Sequence, residues 1–72
     1  MTMYTVTTNY FDNYLLGSYS TMLNARHAIT NLVAQTDELI YCEYVGNYAY
    51  RVMDINGEYY WFQIFADTID AE

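Results

Sequence analysis

The sequence predicts a single α+β domain over residues 1–72, in the order β-α-β-β-β, with one helix packed on a four-stranded, mainly antiparallel sheet. Three observations predict it. A run of helical period occupies residues 21–35, three strand-like runs follow it, and each of the two joints between those runs carries an Asn beside a Gly. A chain of 72 residues holds one domain. At that size about 60% of the unfolded surface is buried, so stability is marginal.

Residues 3–10 read as the first strand, because Tyr4, Val6, Thr8 and Tyr10 alternate with Thr5, Thr7 and Asn9. Residues 11–17 read as a connection whose Phe11, Tyr14, Leu15 and Leu16 pack down onto the domain. Ser18, Ser20 and Thr21 each offer a hydroxyl to cap the helix that follows. Within that helix Met22, Ala25, Ile29, Leu32 and Val33 recur on one face, toward the core. Thr36-Asp37-Glu38 breaks the period.

Residues 39–45, 48–55 and 59–66 are the remaining strands, expected as an antiparallel meander. Asn56-Gly57 is the stronger hairpin signal, read as a type I′ turn in which both central residues take positive φ. The first strand adds beside the last strand or beside the second; the sequence leaves both open. Asp67 to Glu72 reads as an acidic tail.

A helix covers one face of a sheet, and the other face of a half-buried sheet is ordinarily polar. Here both sets of alternating residues carry large apolar or amphipathic side chains. The set bearing the charges, Tyr41, Glu43, Arg51, Met53, Tyr59, Trp61 and Gln63, is expected to face outward. Tyr and Trp bring large contact area at low entropy cost, and extended apolar patches mark interaction sites. The alternative is that the N-terminal connection folds over these aromatics and shields the sheet.

Charge sharpens the reading. Nine acids, two arginines and no lysine give a formal net charge of −7. Such a surface repels nucleic acid and anionic membranes and attracts basic surfaces; solubility alone is the plainer explanation of an acidic composition. Strand direction puts Asp37, Glu38, Asp54 and Glu58 at one end of the sheet, where they are expected to form a docking edge. The predicted protein-binding residues are Asp37, Glu38, Tyr41, Glu43, Asp54, Glu58, Tyr59 and Trp61. Reversing Asp54 and Glu58 to lysine is expected to abolish docking and leave the fold intact.

Several function classes find no support. His27 and Cys42 are the only residues of their kinds, so neither a Cys/His zinc site nor an intrachain disulfide can form. Asp54-Ile55-Asn56-Gly57 opens like a calcium loop, but the glycine comes two places early and the twelfth position is Phe65 in place of a bidentate Glu. His27 beside Arg26 on the helix and Cys42 in mid-strand lack the partners of a base or nucleophile, and three scattered glycines make no phosphate loop. No cofactor and no enzymatic activity are expected. The N-terminus, Met1-Thr2-Met3-Tyr4-Thr5, lacks the basic and apolar regions of a signal peptide. No run approaches the roughly 20 apolar residues of a membrane span, so a cytoplasmic protein is expected.

Size, acidity, the absence of lysine and the Tyr-rich β-α-β-β-β pattern together resemble the small acidic inhibitors encoded by bacteriophages, the anti-CRISPR and anti-restriction proteins. The resemblance spans the chain but involves no shared motif. It implies inhibition by occlusion: carboxylates stand where phosphates would stand on a basic, nucleic-acid-handling host enzyme. Duplex DNA carries one charge per about 1.7 Å of axis, so this chain imitates only a short segment and aromatic contacts must supply much of the affinity. The alternative is a structural or assembly module that forms a homodimer through the aromatic sheet face.

Overall fold

The computed structural model describes residues 2–68. Five strands and one helix follow in the order β1 (Thr2–Thr8), β2 (Leu15–Tyr19), α1 (Met22–Gln35), β3 (Leu39–Gly46), β4 (Ala49–Asp54) and β5 (Tyr59–Thr68). The strands form one antiparallel sheet ordered β2-β1-β5-β4-β3, with α1 across one face.

This corrects the expected four-stranded β-α-β-β-β order. The connection read over residues 11–17 ends in a fifth strand, β2, which turns back along β1 and pairs Tyr4 with Tyr19 and Val6 with Gly17. Gly17, Ser18 and the short length of the segment hid it, since glycine and serine are poor strand formers. Of the three hydroxyls offered as caps, Thr21 is the one used: its Oγ1 accepts from Asn24 N at 3.1 Å. β1 lies beside the last strand, one of the two positions left open, with Val6 opposite Ile64. Asp67 and Thr68, expected in the tail, continue β5 against Met3 and Thr2; the rest of that tail lies outside the described residues.

The type I′ turn expected at Asn56-Gly57 is not found there. At Asp54–Glu58 only Gly57 has positive φ (83°). Gly57 N donates to Asp54 O at 3.1 Å, and Asp54 N to Glu58 O at 2.9 Å, which is a type I turn closed by a glycine bulge. At the other hairpin Asn47 (φ 53°) and Tyr48 (φ 60°) both take the left-handed conformation, so the type I′ turn sits there. Tyr44 Oη helps hold it by accepting from Tyr48 N at 3.1 Å.

Alternation along the strands fills one core between sheet and helix. Val6, Tyr50, Val52, Phe62 and Ile64 rise from the sheet, Ala25 and Ile29 descend from α1, and Leu39 closes one side. Met22, Leu32 and Val33 pack partly against it, so the apolar stripe read in the helix is the stripe that meets the core. Phe62 sits at the centre, paired with Tyr50 on one side and Thr8 on the other. Phe62→Ala is expected to cost about 3–5 kcal/mol through lost burial and a residual cavity, most of the stability of a domain this small. Leu23→Ala, at an exposed helix position, should stay within about 0.5 kcal/mol. Urea unfolding of both variants checks the pair.

Candidate interaction surface

Strand pairing decides which residues share a face. Core side chains alternate with a second set that points away from α1: Tyr41, Glu43, Ala49, Arg51, Met53, Tyr59, Trp61, Gln63 and Phe65 on β3, β4 and β5, with Thr5 and Thr7 beside them on β1. The set expected to face outward therefore does so. No described element packs over it; the connection before β2 stays at one end of the sheet. Tyr59 is 56% exposed and Trp61 44%.

Cross-strand pairs order this face. Tyr41 lies opposite Met53, and Met53 opposite Tyr59; Glu43 lies opposite Arg51, and Arg51 opposite Trp61. Arg51 Nη2 donates to Glu43 Oε2 at 2.7 Å, while its guanidinium carbon sits 5.0 Å from the centre of the Tyr59 ring. An exposed ion pair contributes at most about 1 kcal/mol, so its main effect is to fix two long side chains flat between the aromatics. Trp61 N donates to Asn9 Oδ1 at 3.0 Å, which ties the segment just after β1 to the backbone of β5.

The expected docking edge divides into two kinds of carboxylate. Asp37, Glu38, Asp54 and Glu58 do share one end of the sheet: Ile55 N donates to Glu38 O, and Asp54 N to Glu58 O, each at 2.9 Å. Asp37, Glu38 and Glu58 are exposed there. Asp54 is not available for docking. It is only 7% exposed. Its Oδ1 accepts from Asn56 N and Glu58 N at 2.9 Å each, and its Oδ2 accepts from Tyr60 Oη at 3.1 Å. Asp54 organises the β4–β5 turn from inside, so Asp54→Lys would disrupt the fold, and the charge-reversal experiment belongs at Glu38 and Glu58. Glu43, also expected to dock, is engaged by Arg51.

Two neighbours stand outside the expected binding set. Phe65, whose alternation puts it on one strand face with Tyr59 and Trp61, is on the outward face and half exposed. Asp12 sits in the loop joining β1 to β2 at the acidic end, and only the undetected β2 could have placed it. Both arginines are held by tyrosines: Arg26 Nε donates to Tyr50 Oη at 2.8 Å and its guanidinium stacks 5.0 Å from the Tyr44 ring centre, as Arg51 does on Tyr59. Among the described residues no group of three or more His, Cys, Asp or Glu is placed to hold a metal ion, no surface pocket opens, and no helix is long and apolar enough to cross a membrane.

The Asp54 site makes a pH prediction. The backbone N–H of Glu58, with help from Tyr60, holds the Asp54 carboxyl below its ordinary 3.8. Its contribution to stability is thus full above the unfolded value and lost as pH falls through the lower folded value. Tyr60, hydrogen-bonded to Asp54, is pushed up from 10.0 to about 12. That contribution is full below 10.0 and lost as pH rises through about 12. Asp54→Asn is expected to lower stability at neutral pH, flatten the acid limb of the stability curve and return the late-titrating tyrosine toward its ordinary range. Thermal melts across pH and tyrosinate absorbance read the three effects.

Comparison with known protein families, curated proteins and solved structures finds no match to this chain.

Proposed function

We propose that the protein acts by binding another protein, and that it inhibits a basic, nucleic-acid-handling enzyme by covering the surface that would receive phosphates. One observation carries the reading: Tyr41, Met53, Tyr59, Trp61 and Phe65 form an uncovered face on a domain with a formal net charge of −7. Aromatic side chains held by a rigid sheet make good anchors, because little conformational freedom remains to be lost on contact. The exposed acids Asp12, Asp37, Glu38 and Glu58 border the Tyr41–Tyr59 end of this face. They supply the long-range attraction and the orientation; the aromatics supply the short-range affinity.

The test is capture from bacterial lysate on immobilised protein, with duplex DNA as competitor and salt as a second variable. A nucleic-acid-binding protein retained on the wild type, displaced by DNA and weakened by salt, supports the reading. The Tyr59→Ala/Trp61→Ala double variant is expected to lose about 30-fold or more in affinity for that protein, as for a contact of hot-spot size. The Glu38→Lys/Glu58→Lys variant is expected to slow association and reduce its salt dependence. Retention of the same protein by the double aromatic variant with unchanged affinity overturns the assignment of the face.

A further inference from the structure

We propose that the free edge of β3 is a homotypic interface: two copies of the chain pair antiparallel along β3, about a two-fold axis at Cys42, and join their sheets into one. The interface uses the edge of the sheet and leaves the aromatic face open, so it stands independently of the inhibitory reading.

β3 is eight residues long, bonded to β4 on one side and to no described element on the other. Edge strands are commonly protected by lysine or proline, and β3 has neither. Hydrogen bonding identifies the groups left open. Asp54 N is directed at β5, through Glu58 O, and Ile55 N at the β3 side, through Glu38 O. By alternation Arg51 and Met53 bond toward β3, where they face Glu43 and Tyr41. Cys42 and Tyr44 therefore present their N–H and C=O groups to the open edge.

The register follows from sequence and charge. β3 departs from regular pairing between Leu39 and Tyr41 and again between Tyr44 and Gly46, so the regular segment is Tyr41 to Tyr44. A two-fold axis at Glu43 would set two carboxylates directly opposite each other, which is destabilising. An axis at Cys42 places Tyr41 opposite the second copy's Glu43 and lets the two Cys42 residues exchange their backbone hydrogen bonds. No like charges then face one another along the segment.

The ends of the strand agree with antiparallel pairing. Asp37 and Glu38 precede β3, whereas the turn after it, Gly46-Asn47-Tyr48, carries no acid. Arg26 lies against Tyr44 near that second end. Antiparallel pairing brings the acidic end of each copy toward the arginine-bearing end of the other; parallel pairing would superpose two acidic ends. The irregularities at both ends keep the contact short, so the dimer should be weak and concentration-dependent.

Light scattering over a concentration series should show mass rising from 8.5 kDa toward twice that value, for Trp61→Ala as for the wild type. The two Cys42 residues, opposite each other about 5.5 Å apart in a hydrogen-bonded pair, fall within disulfide reach. Diamide, which accepts two electrons and the two thiol protons, is applied at mildly alkaline pH, because burial pushes the Cys42 thiol up. Wild type should cross-link at least about 10-fold faster than Cys42→Ser/Tyr41→Cys, whose thiols sit on a diagonal in this register. A chain that stays monomeric at millimolar concentration overturns the interface. Cross-linking of Cys42→Ser/Tyr41→Cys as fast as wild type overturns the register, and a dimer lost in Trp61→Ala moves self-association to the aromatic face.

Discussion

A helix of 14 residues, α1, advances about 21 Å at 1.5 Å per residue. Strands about 4.8 Å apart give a five-stranded sheet a width of roughly 19 Å between its outer axes. One helix can therefore span this sheet once, on one side only, and the chain has no second helix among its described residues. Much else in the molecule follows from that constraint. The core is a single layer centred on Phe62, Val52 and Val6 beneath Ala25 and Ile29. The reverse of β3, β4 and β5 is left to face water, with the aromatic side chains of Tyr41, Tyr59, Trp61 and Phe65 in place.

Polar contacts fix the two turns at the ends of the sheet. Asp54 satisfies three donors at the β4–β5 turn, and Tyr60, one of those donors, packs edge-on against Tyr10 at 5.0 Å. The end of the sheet bearing most of the exposed acid is thus braced from within by a buried one. At the other hairpin Tyr48 takes a left-handed conformation that glycine adopts without cost, while Tyr44 holds its amide. Local conformational preference yields there to the pairing of β3 with β4.

Much of this was legible in the sequence. Helical period in 21–35 and alternation in the last three runs are strong, redundant signals, and they placed both the core stripe of α1 and the outward set on the sheet; the irregularity between Leu39 and Tyr41, which turns Leu39 into the core, left no such signal. β2 was hidden because strand identity there comes from pairing with β1, not from its own residues. The inward turn of Asp54 was hidden for a different reason. A carboxylate in an Asp-Ile-Asn-Gly turn can point to solvent or fold back onto the turn's own amides, and only the position of Tyr60 across the hairpin decides between them. The sheet end shared by the acids was readable from strand direction; their division into structural and exposed members was not.

Trp61 is the only tryptophan in the chain, and it stands on the outward face beside Arg51, remote from the core side of the sheet. The core is lined instead by tyrosine, phenylalanine and aliphatic residues. Indole emission from the intact domain is consequently a signal from one surface alone. Anything that covers that surface changes the polarity around the ring and shifts its fluorescence. The molecule carries its own optical label on the face proposed here to meet a partner.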